Sequence, residues 1–111
     1  MNDKLHTRID ALQFFKDHPA CVLKTVFLLC DSTTDVEKQL LLSKQLVYAL
    51  LHTGATKIEI ENDYPLSDAI IDEIFITVPD PLPTALLVEL MNLQPDEFGE
   101  VEPNVFRLWW D

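Results

Sequence analysis

The segment VFRLWW, residues 105–110, constrains this chain more than any other. Its β-branched and aromatic content predicts a strand. Neighbouring side chains of a strand point to opposite faces, so Trp109 and Trp110 cannot enter one core. Phe106, Leu108 and Trp110 form a wholly apolar set, suited to a face covered by helices. Val105, Arg107 and Trp109 form the other set. The fold must therefore hold a sheet with two differently used faces.

Alternation supports the same reading upstream. In residues 57–61, KIEIE, Ile58 and Ile60 take one face while Lys57, Glu59 and Glu61 take the other, as in a half-buried edge strand. Residues 73–78, EIFITV, read as another strand. Residues 21–30, CVLKTVFLLC, are short and almost continuously apolar, which suits a central strand covered on both faces. This places Val26 and Phe75 on or near the face that Trp109 occupies.

Helical periodicity fills the gaps. Leu5, Ile9 and Leu12, with Phe15 close by, give an amphipathic stripe over residues 3–17 that His18-Pro19 terminates. Thr34 and Glu37 match a capping box opening a helix that runs to Thr53, with Gly54 as its C-cap. Its stripe is Val36, Leu40, Val47 and Leu50, widened by Leu42, Leu46 and Ala49. NDYPLS is a turn, and residues 67–72 suit a single helical turn. The prolines of PDPLP lead into a helix over residues 83–93 that Pro95 stops, and DEFGEVEPN reads as an acidic loop.

The resulting order is α-β-α-β-β-α-β. After the first helix, residues 21–111 resemble the ferredoxin-like βαββαβ unit, an α/β sandwich with a four-stranded antiparallel sheet. Residues 1–18 are the added N-terminal helix. The 111 residues suit one domain able to bury a core without metal or disulfide staples. Cys21 and Cys30, on one strand, would lie roughly 30 Å apart, so no disulfide joins them and a cytoplasmic location is expected. The polar N-terminal decapeptide lacks the apolar run of a secretion signal, and the apolar stretch at residues 40–51 is too short and polar to span a bilayer.

Charge is distributed unevenly. Residues 1–58 carry six acids and seven bases, a net of +1; residues 59–111 carry thirteen acids and Arg107 alone, a net of −12. This argues against direct contact with nucleic-acid phosphates. In the expected topology the acidic loops gather at one pole: Asp31 and Asp35, then Asp63, Asp68 and Asp72, then Asp96, Glu97, Glu100 and Glu102. Tyr64, Leu66 and Phe98 stand among them. An acidic rim around apolar anchors suits a docking surface for a basic protein. The candidate partner-binding residues are Asp63, Tyr64, Asp68, Asp96, Glu97, Phe98, Glu100, Glu102 and Trp109.

The remaining polar residues offer no recognisable catalytic or metal motif. His6, His18 and His52 show no HxxxH or HExxH spacing, neither cysteine lies in a CxxC, and two glycines cannot build a phosphate cradle. The acids lack calcium-loop spacing. No catalytic residue, metal ligand or cofactor is assigned. The expected function is a small non-catalytic inhibitor or regulator of a basic or nucleic-acid-binding protein, of an immunity, antitoxin or DNA-mimic type. The alternatives are an enzyme or divalent-metal protein using the acidic pole, and a structural homo-oligomer pairing through the bare sheet face. Arg107 is expected to be a counter-charge to Glu59 or Glu73, and the face of Trp109 needs a cover: the first helix, a second copy or a partner.

Overall fold

The computed structural model describes residues 8–31, 33–61 and 70–111. Its strands are β1 (Arg8–Asp10), β2 (Val22–Leu23), β3 (Lys57–Glu61), β4 (Ile70–Ile71), β5 (Glu73–Thr77), β6 (Glu97–Glu102) and β7 (Val105–Trp109). Its helices are α1 (Ala11–Asp17), α2 (Lys24–Leu29), α3 (Val36–Thr53) and α4 (Thr84–Asn92). Five strands form an antiparallel sheet in the order β1-β3-β5-β7-β6, and β2 pairs with β4 in a separate parallel ladder. The α+β class and the antiparallel sheet agree with the sequence. The four-stranded ferredoxin-like arrangement is not the one seen, because segment 21–30 contributes nothing to the large sheet.

Four local differences account for this. Residues 8–10 are a strand rather than helix: Arg8, Ile9 and Asp10 lie opposite Glu61, Ile60 and Glu59. Asp10 then caps α1, its carboxylate accepting the Gln13 N–H at 3.1 Å. The RID triplet satisfies a strand period as well as a helical one, and the open side of β3 supplies its backbone partners. With β1 in place, β3 is internal and not an edge.

Segment 21–30 also behaves differently. The Leu23 N–H donates to the buried Ser43 Oγ at 3.0 Å, and the chain turns at once into α2. An apolar run cannot tell a buried strand from a short helix by periodicity. Val26 therefore belongs to the helix-side core rather than to the face of Trp109. Cys21 is buried and Cys30 partly so, and no disulfide joins them.

The third difference is a helix start. Asp35, not Thr34, caps α3 by accepting the Lys38 N–H at 2.8 Å. The Thr34 carbonyl instead receives the Gln39 side-chain amide at 3.0 Å. Gly54 ends this helix with φ of 135°, a value that L side chains rarely adopt. The buried row is Gln39, Ser43, Val47 and Leu50. Two polar residues thus occupy it, each with its hydrogen bonds made, while Val36 points outward.

The fourth difference is the acidic stretch 96–104, expected as a loop. Glu97–Glu102 is an edge strand, paired with β7 through a turn at Pro103-Asn104. Asn104 takes a φ of 65°, and its N–H donates to the Glu100 carboxylate at 2.9 Å. Three glutamates in six residues hide the strand period. The Pro-Asn turn was its one signal.

One core holds the molecule together. Ile58, Ile60, Ile74, Ile76, Leu108 and Trp110 supply the sheet side, and Phe14, Phe15, Val26, Val47, Leu50, Leu86 and Leu90 supply the helices. Parity places Trp110 here as expected, at 2 % exposure. Its indole N–H donates to the Leu93 carbonyl at 2.9 Å, and the Thr25 hydroxyl reaches the same oxygen at 3.1 Å. Within the described residues α1 packs in this core through Ala11, Phe14 and Phe15, on the side of the sheet away from Trp109.

Candidate protein-docking face

The opposite face of the large sheet is built by the alternate set of residues. Cross-strand register aligns Arg8 with Glu61 and Asp10 with Glu59; Glu59 with Phe75 and Lys57 with Thr77; Phe75 with Arg107 and Glu73 with Trp109; and Trp109 with Glu97. All buried apolar residues of the four helices belong to the core on the other side. This face is therefore the polar side of the sheet.

Two aromatic side chains on it are associated with arginines. The Arg8 guanidinium lies 4.1 Å from the centre of the Phe75 ring. Its Nη2 also pairs with the Glu102 carboxylate at 2.8 Å. Phe75 is only 5 % exposed although it lies outside the helix-side core. The Arg107 guanidinium stands 5.9 Å from the Trp109 ring. It pairs with Glu73 and, at 2.9 Å, with Glu97. Burial alone would lower the pKa of Arg107; hydrogen bonds and charges from Glu73 and Glu97 outweigh it and hold the pKa above its ordinary value. Arg107 is thus a counter-charge to Glu73, as its isolation among acids suggested, with Glu97 as a second partner.

The candidate residues are distributed as follows. Asp63, Tyr64 and Asp68 lie outside the described residues. Glu97 and Trp109 are direct cross-strand neighbours on the open face, with Arg107 beside them. Glu102 lies at the other end of β6, roughly 15 Å away at the usual strand rise. Phe98 points to the helix side and stacks on Phe106, ring centres 5.1 Å apart and planes 10° from parallel. Asp96 accepts the Asp111 N–H at 2.6 Å, and Glu100 is held by Asn104. The acids of segment 96–102 therefore line an edge strand instead of crowding one pole.

Charge separates by layer. The four helices carry three acids (Asp17, Glu37, Glu89) and four bases (Lys16, Lys24, Lys38, Lys44), a net of +1. The five-stranded sheet carries seven acids (Asp10, Glu59, Glu61, Glu73, Glu97, Glu100, Glu102) and three bases (Arg8, Lys57, Arg107), a net of −4. Arg8 belongs to this face although the sequence pattern hides it, because the stripe over residues 3–17 fits a helical period. Parity groups Glu73 with Phe75 but leaves open which face they take; the register with Arg107 and Trp109 decides it.

Asp31, His18 and His52 have local roles. Asp31 accepts from the Thr33 N–H and from the hydroxyls of Thr33 and Thr34. The Thr33 hydroxyl, then its N–H, then the Thr34 hydroxyl hold the Asp31 carboxyl below its ordinary pKa. His18 caps the end of α1 with its ring 4.5 Å from that of Phe14, and His52 stands in the last turn of α3. Among the described residues no three histidine, cysteine or acidic side chains are placed to hold a metal ion, and no helix is long and apolar enough to cross a membrane. Compared with protein-family models, with curated proteins and with solved structures, the chain matches none.

Proposed function

We propose that this chain is a non-catalytic docking module whose acidic sheet face binds a protein with a basic surface, thereby inhibiting or regulating it. One observation carries the reading: the face opposite the helix-side core holds most of the sheet's carboxylates, and its arginines are already paired with Glu73, Glu97 and Glu102. With those cations paired internally, the outward field of the face is negative and would steer a basic partner. Trp109, partly exposed beside Glu97, is the apolar anchor. A nuclease or another nucleic-acid-binding protein is the chemical class that fits, because its phosphate-binding surface is basic.

Affinity capture from lysate at moderate salt tests this, comparing the native chain with a Glu59→Lys/Glu97→Lys double variant. The expected result is a basic protein retained by the first, lost with the second, and released by high salt. Capture of no basic protein, or capture indifferent to the charge reversal, would overturn the reading.

A further inference from the structure

We propose that the exposed apolar surface shared by α2 and α4 is a homodimer interface, occupied by a second copy of this chain. On α2, Phe27, Leu28 and Leu29 are consecutive and exposed at 45, 58 and 79 %. On α4, Leu86 and Leu90 enter the core while Leu87, Val88 and Met91 remain exposed. A helix apolar over most of its circumference is normally buried on both sides. The bond from Thr25 to the Leu93 carbonyl joins the two helices' neighbourhoods, and Leu28, Leu29, Asn92, Leu93 and Trp110 line one shallow cleft between them.

Area and charge select the occupant. Summed over the two helices, the exposed parts of these six residues come to roughly 550 Å², comparable with the largest apolar patch of a monomer. That is about two-thirds of the ~800 Å² that each partner contributes to a standard interface, and a polar rim supplies the remainder. A second copy meets the patch with an equal apolar patch, as two-fold pairing requires. The helices carry net +1 and the sheet net −4, so copies meeting helix to helix turn their negative faces apart. The charges on the two helices, Lys24 on α2 and Glu89 on α4, are of opposite sign and suit self-pairing. The sequence offers a homo-oligomer paired through the sheet face as an alternative reading; this proposal puts the pairing on the helix layer instead. This proposal is independent of the docking reading, since the acidic face stays outward on both copies.

Sedimentation equilibrium from low micromolar to near-millimolar concentration tests it. The native chain should pass from one to two chain masses. Leu29→Glu and Val88→Glu should each weaken dimerisation by about 100-fold, as loss of an interface anchor does. Val101→Glu, at an exposed position on β6, should leave it unchanged. Hydrogen exchange on the native chain gives a second measurement that needs no variant: concentration-dependent protection should fall on residues 24–29 and 84–92. A monomer at every concentration would sink the proposal. So would a dimer indifferent to Leu29→Glu, or protection centred on β6.

Discussion

The Arg8 guanidinium covers the Phe75 ring from two strands away, 4.1 Å from its centre, while the same group pairs with Glu102. One side chain thus shields an aromatic ring and ties β1 to β6 across the sheet. Arg8→Ala should cost about 1 kcal/mol in urea denaturation, combining a cation–π contact with a partly exposed ion pair. Arg8→Lys should recover only part of that loss, since an ammonium keeps the charge but not the flat contact. Equal stability of all three chains would show that the contact contributes nothing.

Ser43 is the polar hinge of the core. It accepts the Leu23 N–H and donates to the Gln39 carbonyl at 2.8 Å, with no exposure to water. Ser43→Ala leaves a buried N–H unsatisfied and should destabilise the protein by about 1–3 kcal/mol. Ser43→Thr, which keeps the hydroxyl, separates this effect from crowding. The amide exchange of Leu23 reports the change directly, and its rate should rise in Ser43→Ala.

The two tryptophans should respond unequally. Trp110→Ala removes a buried core aromatic and should cost about 3–5 kcal/mol. Trp109→Ala, on the open face, should cost about 1 kcal/mol or less in the isolated chain. Trp110→Phe keeps most of the packing and loses one hydrogen bond, an intermediate loss of about 1 kcal/mol beyond the shape change. Thermal melts of the three variants give the order, and melting points that fall equally would refute the assignment of faces.

Asp31 sets a pH dependence whose sign is fixed. Its folded-state pKa lies below the ordinary value because Thr33 and Thr34 donate to the ionised form. A depressed carboxylate contributes fully above the unfolded value of about 3.9, and that contribution is lost as pH falls through the folded value. Melting temperatures of the native chain and Asp31→Asn should differ near neutrality and converge in acid. A gap that widens on acidification would contradict the sign.

Much of the fold was legible because strong periods speak plainly. KIEIE, EIFIT and VFRLW alternate, and the long α3 ends at the one residue type free to adopt its φ. The assignment of Trp110 to the core followed from parity alone. What escaped was the set of short or doubly readable segments. Arg8–Asp10 fits two periods, and the apolar run at 21–30 fits two structures. The glutamate-rich β6 looks like a loop because five of its six positions are exposed and only Phe98 turns toward the core. The candidate site divided for the same reason: once β6 is a strand, Glu97 and Phe98 must part to opposite faces.

The strand order also has a consequence in time. The turn of the β6–β7 hairpin joins Glu102 to Val105, whereas β5 meets β7 through pairs such as Glu73 with Trp109, and β1 meets β3 through Arg8 and Glu61. Pairings between distant positions form more slowly than local ones. The β6–β7 hairpin should then form first, the β3–β5 pair next and the β5–β7 pair after it, with β1 docking last and carrying Arg8 onto Phe75. In pulse-labelled refolding, amides of β6 and β7 should gain protection before Ile9 does. The β1 side of the acidic face, with Arg8 over Phe75 and against Glu102, would be the last part to mature, so a partner that recognises the finished face would in effect select chains whose folding is complete.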